Sequence, residues 1–130
     1  MYDNKNMIIS IDQELRTELL ENAKIFHPKE TFLILRGEKK KEKDKIILTL
    51  NHYLMPLAYR TENSVSYDPF LIHFDSKILG TAHSHPSGNV KPSLTDLNNM
   101  TGLFLIIMGF PYNHENVVGY DEKGNIIKIE

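Results

Sequence analysis

The chain contains no cysteine. That single absence removes a disulfide framework, every thiolate metal site and a cysteine nucleophile, and it suits a reducing cytosol. Long apolar runs are missing too. Met1 to Ser10 holds no hydrophobic core of signal-peptide length, and the longest apolar stretch, Leu103 to Met108, is far too short to cross a bilayer. Charge of one sign is also scarce: the net charge is -2 and the pI about 6.3, so no basic field points to a nucleic-acid partner. No internal repeat, low-complexity tract or domain linker interrupts the 130 residues, which are enough for one compact domain, 1–130, with a core of its own. The expectation is a soluble, cytoplasmic protein without a membrane segment, in which a bound metal would serve function rather than prop up the fold.

Met7-Ile8-Ile9 reads as a short apolar lead-in. After it Ile11, Leu15, Leu19, Leu20, Ala23 and Phe26 recur at three- and four-residue spacing while Glu14, Arg16, Glu18 and Glu21 take other faces, the pattern of an amphipathic helix. Ser10 or Asp12 can cap its start, and His27-Pro28 ends it, because proline restricts the residue before it. Glu30 to Gly37 predicts a buried strand with a carboxylate at its entrance. Ile46 to Leu50 predicts a second, joined to the first through a solvated tip whose five lysines are interleaved with acids.

Asn51 to Asp75 is the least regular part, with a short strand expected around Val65 and Tyr67 and a brief helix or loop to Phe74. Lys77 to His85 reads as a strand stopped by Pro86, Ser93 to about Thr101 as a helix, and Leu103 to Met108 as a fully apolar strand. Asn116 to Tyr120 and Asn125 to Ile129 close the chain as a hairpin. This mixture of elements predicts an α/β domain with a mixed sheet.

The chemistry concentrates in His83-Ser84-His85-Pro86 and Ser93-Leu94-Thr95-Asp96. On a strand, residues two apart share a face and lie about 7 Å apart along the chain, so His83 and His85 can converge on one cation while Ser84 faces away. Asp96, in the first turn of the following helix, can add a carboxylate. Two imidazoles, one carboxylate and an open fourth position make a catalytic zinc site, in which bound water reaches a pKa near 7. Each half has a plainer reading. The serine and aspartate alone form a helix capping box, and a histidine pair alone can be a solvent-facing strand end. His27, His52, His73 and His114 have no partner at ligand spacing and fit surface or capping roles.

The whole string, from His83-Ser84-His85-Pro86 through Ser93 to Asp96, resembles the motif of the JAMM (MPN+) metalloproteases in a minimal form of the archaeal and bacterial kind. The resemblance implies a deaminase-like α/β fold, a curved mixed sheet flanked by helices. It implies His83, His85 and Asp96 as ligands of Zn2+, Glu30 as general acid/base and Ser93 as a group stabilising the oxyanion. Family members often carry glycine three residues after the glutamate, where this chain has Leu33. The implied activity is hydrolysis of an amide or isopeptide bond at the C-terminus of a ubiquitin-like or sulfur-carrier protein, with no nucleic-acid or membrane partner. A metal-free MPN-type scaffold, a RadC-like hydrolase and a small-peptide hydrolase are the alternatives. Zinc nucleobase deaminases are excluded, since their site needs paired cysteines.

Overall fold

The computed structural model describes residues 3–55, 59–61, 64–66 and 75–130, and for 59–61 and 64–66 the backbone alone. Its elements run β1 (Asp3–Ile11), α1 (Gln13–Phe26), β2 (Phe32–Glu42), β3 (Lys45–Leu54), β4 (Tyr59–Thr61), β5 (Ser64–Ser66), β6 (Ile78–His85), α2 (Leu94–Asn98), β7 (Phe104–Gly109), β8 (Val117–Tyr120) and β9 (Ile126–Ile129). The sheet order is β1-β3-β2-β6-β7-β8-β9, and pairing of β1 with β9 closes it into a barrel; β4 and β5 form a separate two-stranded sheet. Parallel pairs (β1 with β3 and β9, β6 with β7) mix with antiparallel ones, as the α/β reading expects.

The lead-in at Met7-Ile8-Ile9 lies within a nine-residue strand that runs on to Ile11, which the sequence pattern did not announce. Its first half is polar and mostly exposed, and what makes it a strand is long-range pairing: Met7 to Ile11 run beside Ile46 to Leu50, and Asp3 and Asn4 beside Ile126 and Ile127. The charged hairpin also differs in detail. Both arms stay paired out to Glu42 and Lys45, and the tip is only the two residues between them. The expected brief helix or loop up to Phe74 lies outside the described residues, as does Tyr67; Val65 is in β5.

Asp12, not Ser10, caps α1, accepting a hydrogen bond from the Leu15 N–H at 2.7 Å. The helix lays Leu15, Leu19, Leu20 and Ala23 against Ile9, Leu33, Leu35, Leu48, Leu50, Ala82, Phe104, Ile106 and Met108, the main core. Leu33, three residues after Glu30, is fully buried there and pairs with Ala82, so its side chain is absorbed as core. A second, smaller cluster of Leu105, Ile107 and Tyr120 packs with Val90 and Met100. Those last two residues flank α2, so this cluster anchors the segment that follows the histidine strand.

The helix expected from Ser93 to about Thr101 spans only Leu94–Asn98 and buries no residue. With no apolar face to hold it down, it ends at the Asn98-Asn99 pair. Gly102 then takes φ +83°, where an added Cβ would stand 2.6 Å from the Leu79 carbonyl oxygen.

Candidate metal centre

β6 is central in the barrel, paired with β2 on one side and β7 on the other, and its C-terminal end carries His83 and His85. Alternation separates their surroundings. Ala82 belongs to the main core and Ser84 points the same way, fully buried, while His83 and His85 turn to the opposite face. There the Phe32 ring meets His83 edge-on, with centroids 4.9 Å apart, which fixes one side of the imidazole.

Asp96 comes to these rings from α2. Its Oδ1 lies 3.8 Å from His83 Nδ1 and its Oδ2 lies 3.4 Å from His85 Nε2. Charge-assisted hydrogen bonds run at about 2.7–2.9 Å, so neither contact is one. Two ligand atoms on a tetrahedral zinc, each about 2.0–2.1 Å from the metal, are about 3.3 Å apart, close to the spacing of the His85 pair. The two contacts are pairwise, each to a different carboxylate oxygen. Among the described residues, no three His, Asp or Glu side chains stand at the geometry of a finished cage. The donor set nevertheless suits a zinc ion: two imidazoles and one carboxylate, each partly shielded, with side chains 21, 14 and 18% exposed for His83, His85 and Asp96.

Each donor is aimed by its neighbours. The Nδ1 of His85 lies 2.8 Å from the Asn89 carbonyl oxygen, and since a carbonyl can only accept, Nδ1 carries the proton and the Nε2 lone pair faces Asp96. That carbonyl is presented by the Pro86–Asn89 turn. Gly88, at φ +84°, donates its N–H to the His85 carbonyl, and Tyr120 holds the next residue by donating its hydroxyl to the Val90 carbonyl at 2.6 Å. Asp96 is fixed by the capping box: Ser93 N–H donates to Asp96 Oδ2 at 2.9 Å, and Asp96 N–H donates to Ser93 Oγ at 3.0 Å. In five residues a helix builds little dipole, so this box, rather than the helix end, is what orients Asp96. Burial pushes the His83 imidazole down from 6.5 to about 4, with Asp96 opposing and His85 adding to the fall. The ring is therefore neutral at neutral pH, the form that ligates a metal.

Glu30 is exposed and sits just before β2. Phe32 is in register with His83, and Thr31, just outside the strand, bonds Ser84, so Glu30 is the next residue out from that last tie. The residues before it are held as well: His27 caps α1 through its N–H to the Ala23 carbonyl, its Nδ1 lies 2.7 Å from the Tyr112 hydroxyl, and its ring stacks on Phe110 at 4.6 Å. The capping role expected of the spare histidines is thus met by His27. The Asn89 carbonyl and the Phe32 ring are features of the site that motif reading misses. A backbone acceptor leaves no side-chain signature, and Phe32 reads as one more apolar residue of its strand.

A curved mixed sheet carrying a His-X-His strand end and a Ser/Asp cap defines the metalloprotease-like JAB/JAMM class. Residues 12–118 match the prokaryotic homologs of the JAB domain, and the chain belongs to that family. A probable metalloprotease of Haloferax volcanii is 27% identical over 128 residues, covering 95% of this chain and 79% of its own length. The solved structure described as "JAMM: A Metalloprotease-like Zinc Site in the Proteasome and Signalosome" is 27% identical with a TM-score of 0.59, covering 95% of this chain and 97% of that one. A JAB1/MPN domain protein from Archaeoglobus fulgidus, 24% identical, shares the fold with a TM-score of 0.62 over 95% of this chain and 98% of its own.

Proposed function

We propose that the chain is a zinc-dependent metallopeptidase that hydrolyses an amide or isopeptide bond at the C-terminus of a ubiquitin-like or sulfur-carrier protein. The observation that carries this reading is the convergence of His83 and His85 on Asp96 at 3.8 and 3.4 Å. His83, His85 and Asp96 would hold the ion. When bound, zinc supplies Lewis acidity, lowering the pKa of water and polarising an amide carbonyl.

The chain's own residues do the rest. Glu30 takes the proton of the attacking water and delivers it to the leaving amine, a role its exposed carboxylate at the strand entrance fits. Ser93 Oγ uses a lone pair to accept the Asp96 N–H, which leaves its own hydroxyl proton free to donate to the oxyanion. The helix cap and the oxyanion donor are then one side chain in one conformation. Leu94, 75% exposed beside Ser93, and Phe110, 47% exposed beyond β7, give the surroundings an apolar character that fits a protein tail better than a small polar substrate.

The test is bound zinc and cleavage of a ubiquitin-like protein conjugated through its C-terminus, measured for wild type, Glu30→Gln and His83→Ala. Expected are one zinc and turnover in wild type, zinc with turnover lowered by roughly 100-fold or more in Glu30→Gln, and neither in His83→Ala. Full turnover by Glu30→Gln would overturn the mechanism, and wild type that takes up no metal would favour a non-catalytic scaffold.

A further inference from the structure

Ser84 lies between the two histidines yet turns away from them, with none of its surface exposed. Its Oγ accepts the Thr31 N–H at 2.7 Å and lies 3.0 Å from the Thr31 hydroxyl, and the Ser84 N–H donates to the Thr31 carbonyl at 3.2 Å. Three hydrogen bonds therefore join one residue of the histidine strand to the residue immediately after Glu30. Thr31 is itself buried, at 7% exposure, so its N–H has no water to fall back on. Glu30, by contrast, is exposed, and ties to the rest of the fold are made by its neighbours Thr31 and His27. A carboxylate that must meet a reacting atom from a solvent-exposed strand end depends on the backbone that carries it.

The geometry points to Ser84 as a positioning residue: through the buried Thr31 latch it sets the register of the β2 entrance against β6 and so holds Glu30 over the two histidines. The inference rests on Glu30 being the proton-transfer group of the proposed reaction. Its physical basis is that the acceptor for Thr31 N–H is a side chain. Ser84→Ala removes it while leaving His83, His85 and the Ser84 backbone bond in place. The freed N–H can regain a partner only by a shift of the strand entrance, which carries Glu30 with it. A misplacement of about 1 Å at a reacting group costs on the order of 100-fold in rate.

The test compares Ser84→Ala, Thr31→Val, Thr31→Ser and Glu30→Gln. In metal-free protein, amide hydrogen exchange in Ser84→Ala is expected to speed up at residues 29–32 and nowhere else in the barrel. With zinc loaded, Ser84→Ala should keep wild-type zinc stoichiometry and KM within about 3-fold while kcat falls by roughly 10- to 100-fold. Thr31→Ser, which keeps both the N–H and the hydroxyl, should retain kcat within about 3-fold, and Thr31→Val should lose part of it. In a Glu30→Gln background, Ser84→Ala should lower residual turnover no further, because the group it positions is already gone. Wild-type kcat in Ser84→Ala, an equal loss in the Glu30→Gln background, or loss of zinc would each overturn the latch. If Ser84→Ala does not fold, Thr31→Val decides by the same readings. Full activity of Glu30→Gln would instead overturn the reading of Glu30, a result distinguishable from failure of the latch.

Discussion

Asp96 is asked to do two things at once, and two substitutions separate them. In the capping box its Oδ2 accepts the Ser93 N–H at 2.9 Å, and as a ligand it faces the histidines at 3.4 and 3.8 Å. Asp96→Asn keeps an oxygen where Ser93 N–H points and removes the negative charge. Asp96→Ala removes both. The capping bond is exposed, so its loss is worth about 0.5–1 kcal/mol. For a chain of this size that lowers Tm by about 2–4 °C. Metal-free Asp96→Asn should therefore melt within about 1 °C of wild type and Asp96→Ala about 2–4 °C below it. Zinc affinity should fall in both by more than the 10- to 100-fold that follows loss of an outer partner of a ligand, because the anionic ligand itself is gone. Calorimetry on metal-free protein gives the first quantity and competition with a chelator the second. Asp96→Asn binding zinc as tightly as wild type would refute the ligand role, and Asp96→Asn melting as low as Asp96→Ala would refute the division between cap and charge.

Away from the centre, Asp121 is buried, which raises its carboxyl pKa, but N–H donors from Asn125, Asn4 and Lys123 more than offset this and hold it below the usual carboxylate range. Its stabilising contribution is thus complete above the unfolded value near 3.9 and lost as pH falls through the lower folded value. Denaturant titrations at stepped acid pH should show that dependence diminished in Asp121→Asn. Gly109→Ala would put a Cβ 2.5 Å from Asn116 Nδ2, 2.8 Å from Val90 Cγ1 and 2.9 Å from the Gly88 carbonyl oxygen. Expected are a loss of about 1–3 kcal/mol in urea unfolding and weaker zinc binding, since the displaced turn presents Asn89 to His85. Leu33→Ala, in a fully buried position, should cost about 2–5 kcal/mol of stability, read as a drop in the urea midpoint.

The legible part of the molecule is the part whose information is local. His83, Ser84, His85 and the Ser93–Asp96 box lie within fourteen residues, and strand alternation with one capping motif is enough to orient them. α1 was legible for the same reason, its apolar stripe repeating at helical spacing from Leu15 to Phe26, although Ile11, the first residue of the expected stripe, ends β1 and pairs with Leu50. The strand at Asp3–Ile11 was not, because half of it is polar and its partners lie around residues 46–50 and 126–129. The placement of Glu30 is intermediate. The motif names it, but the place of the β2 entrance depends on the β2–β6 register, in which Thr31, the residue after it, bonds Ser84 more than fifty positions downstream. α2 is shorter than the Ser93 to Thr101 expected of it, because none of its residues is buried. Met100 packs instead against the small cluster at Leu105 and Tyr120, after the helix has ended.

The central claim is that His83, His85 and Asp96 converge on one zinc ion. A crystal of zinc-loaded protein measured on both sides of the zinc absorption edge tests it most directly. The account predicts a single strong anomalous peak about 2.0–2.2 Å from one nitrogen of each histidine and one oxygen of Asp96. No peak there, or zinc held by other residues, would contradict it.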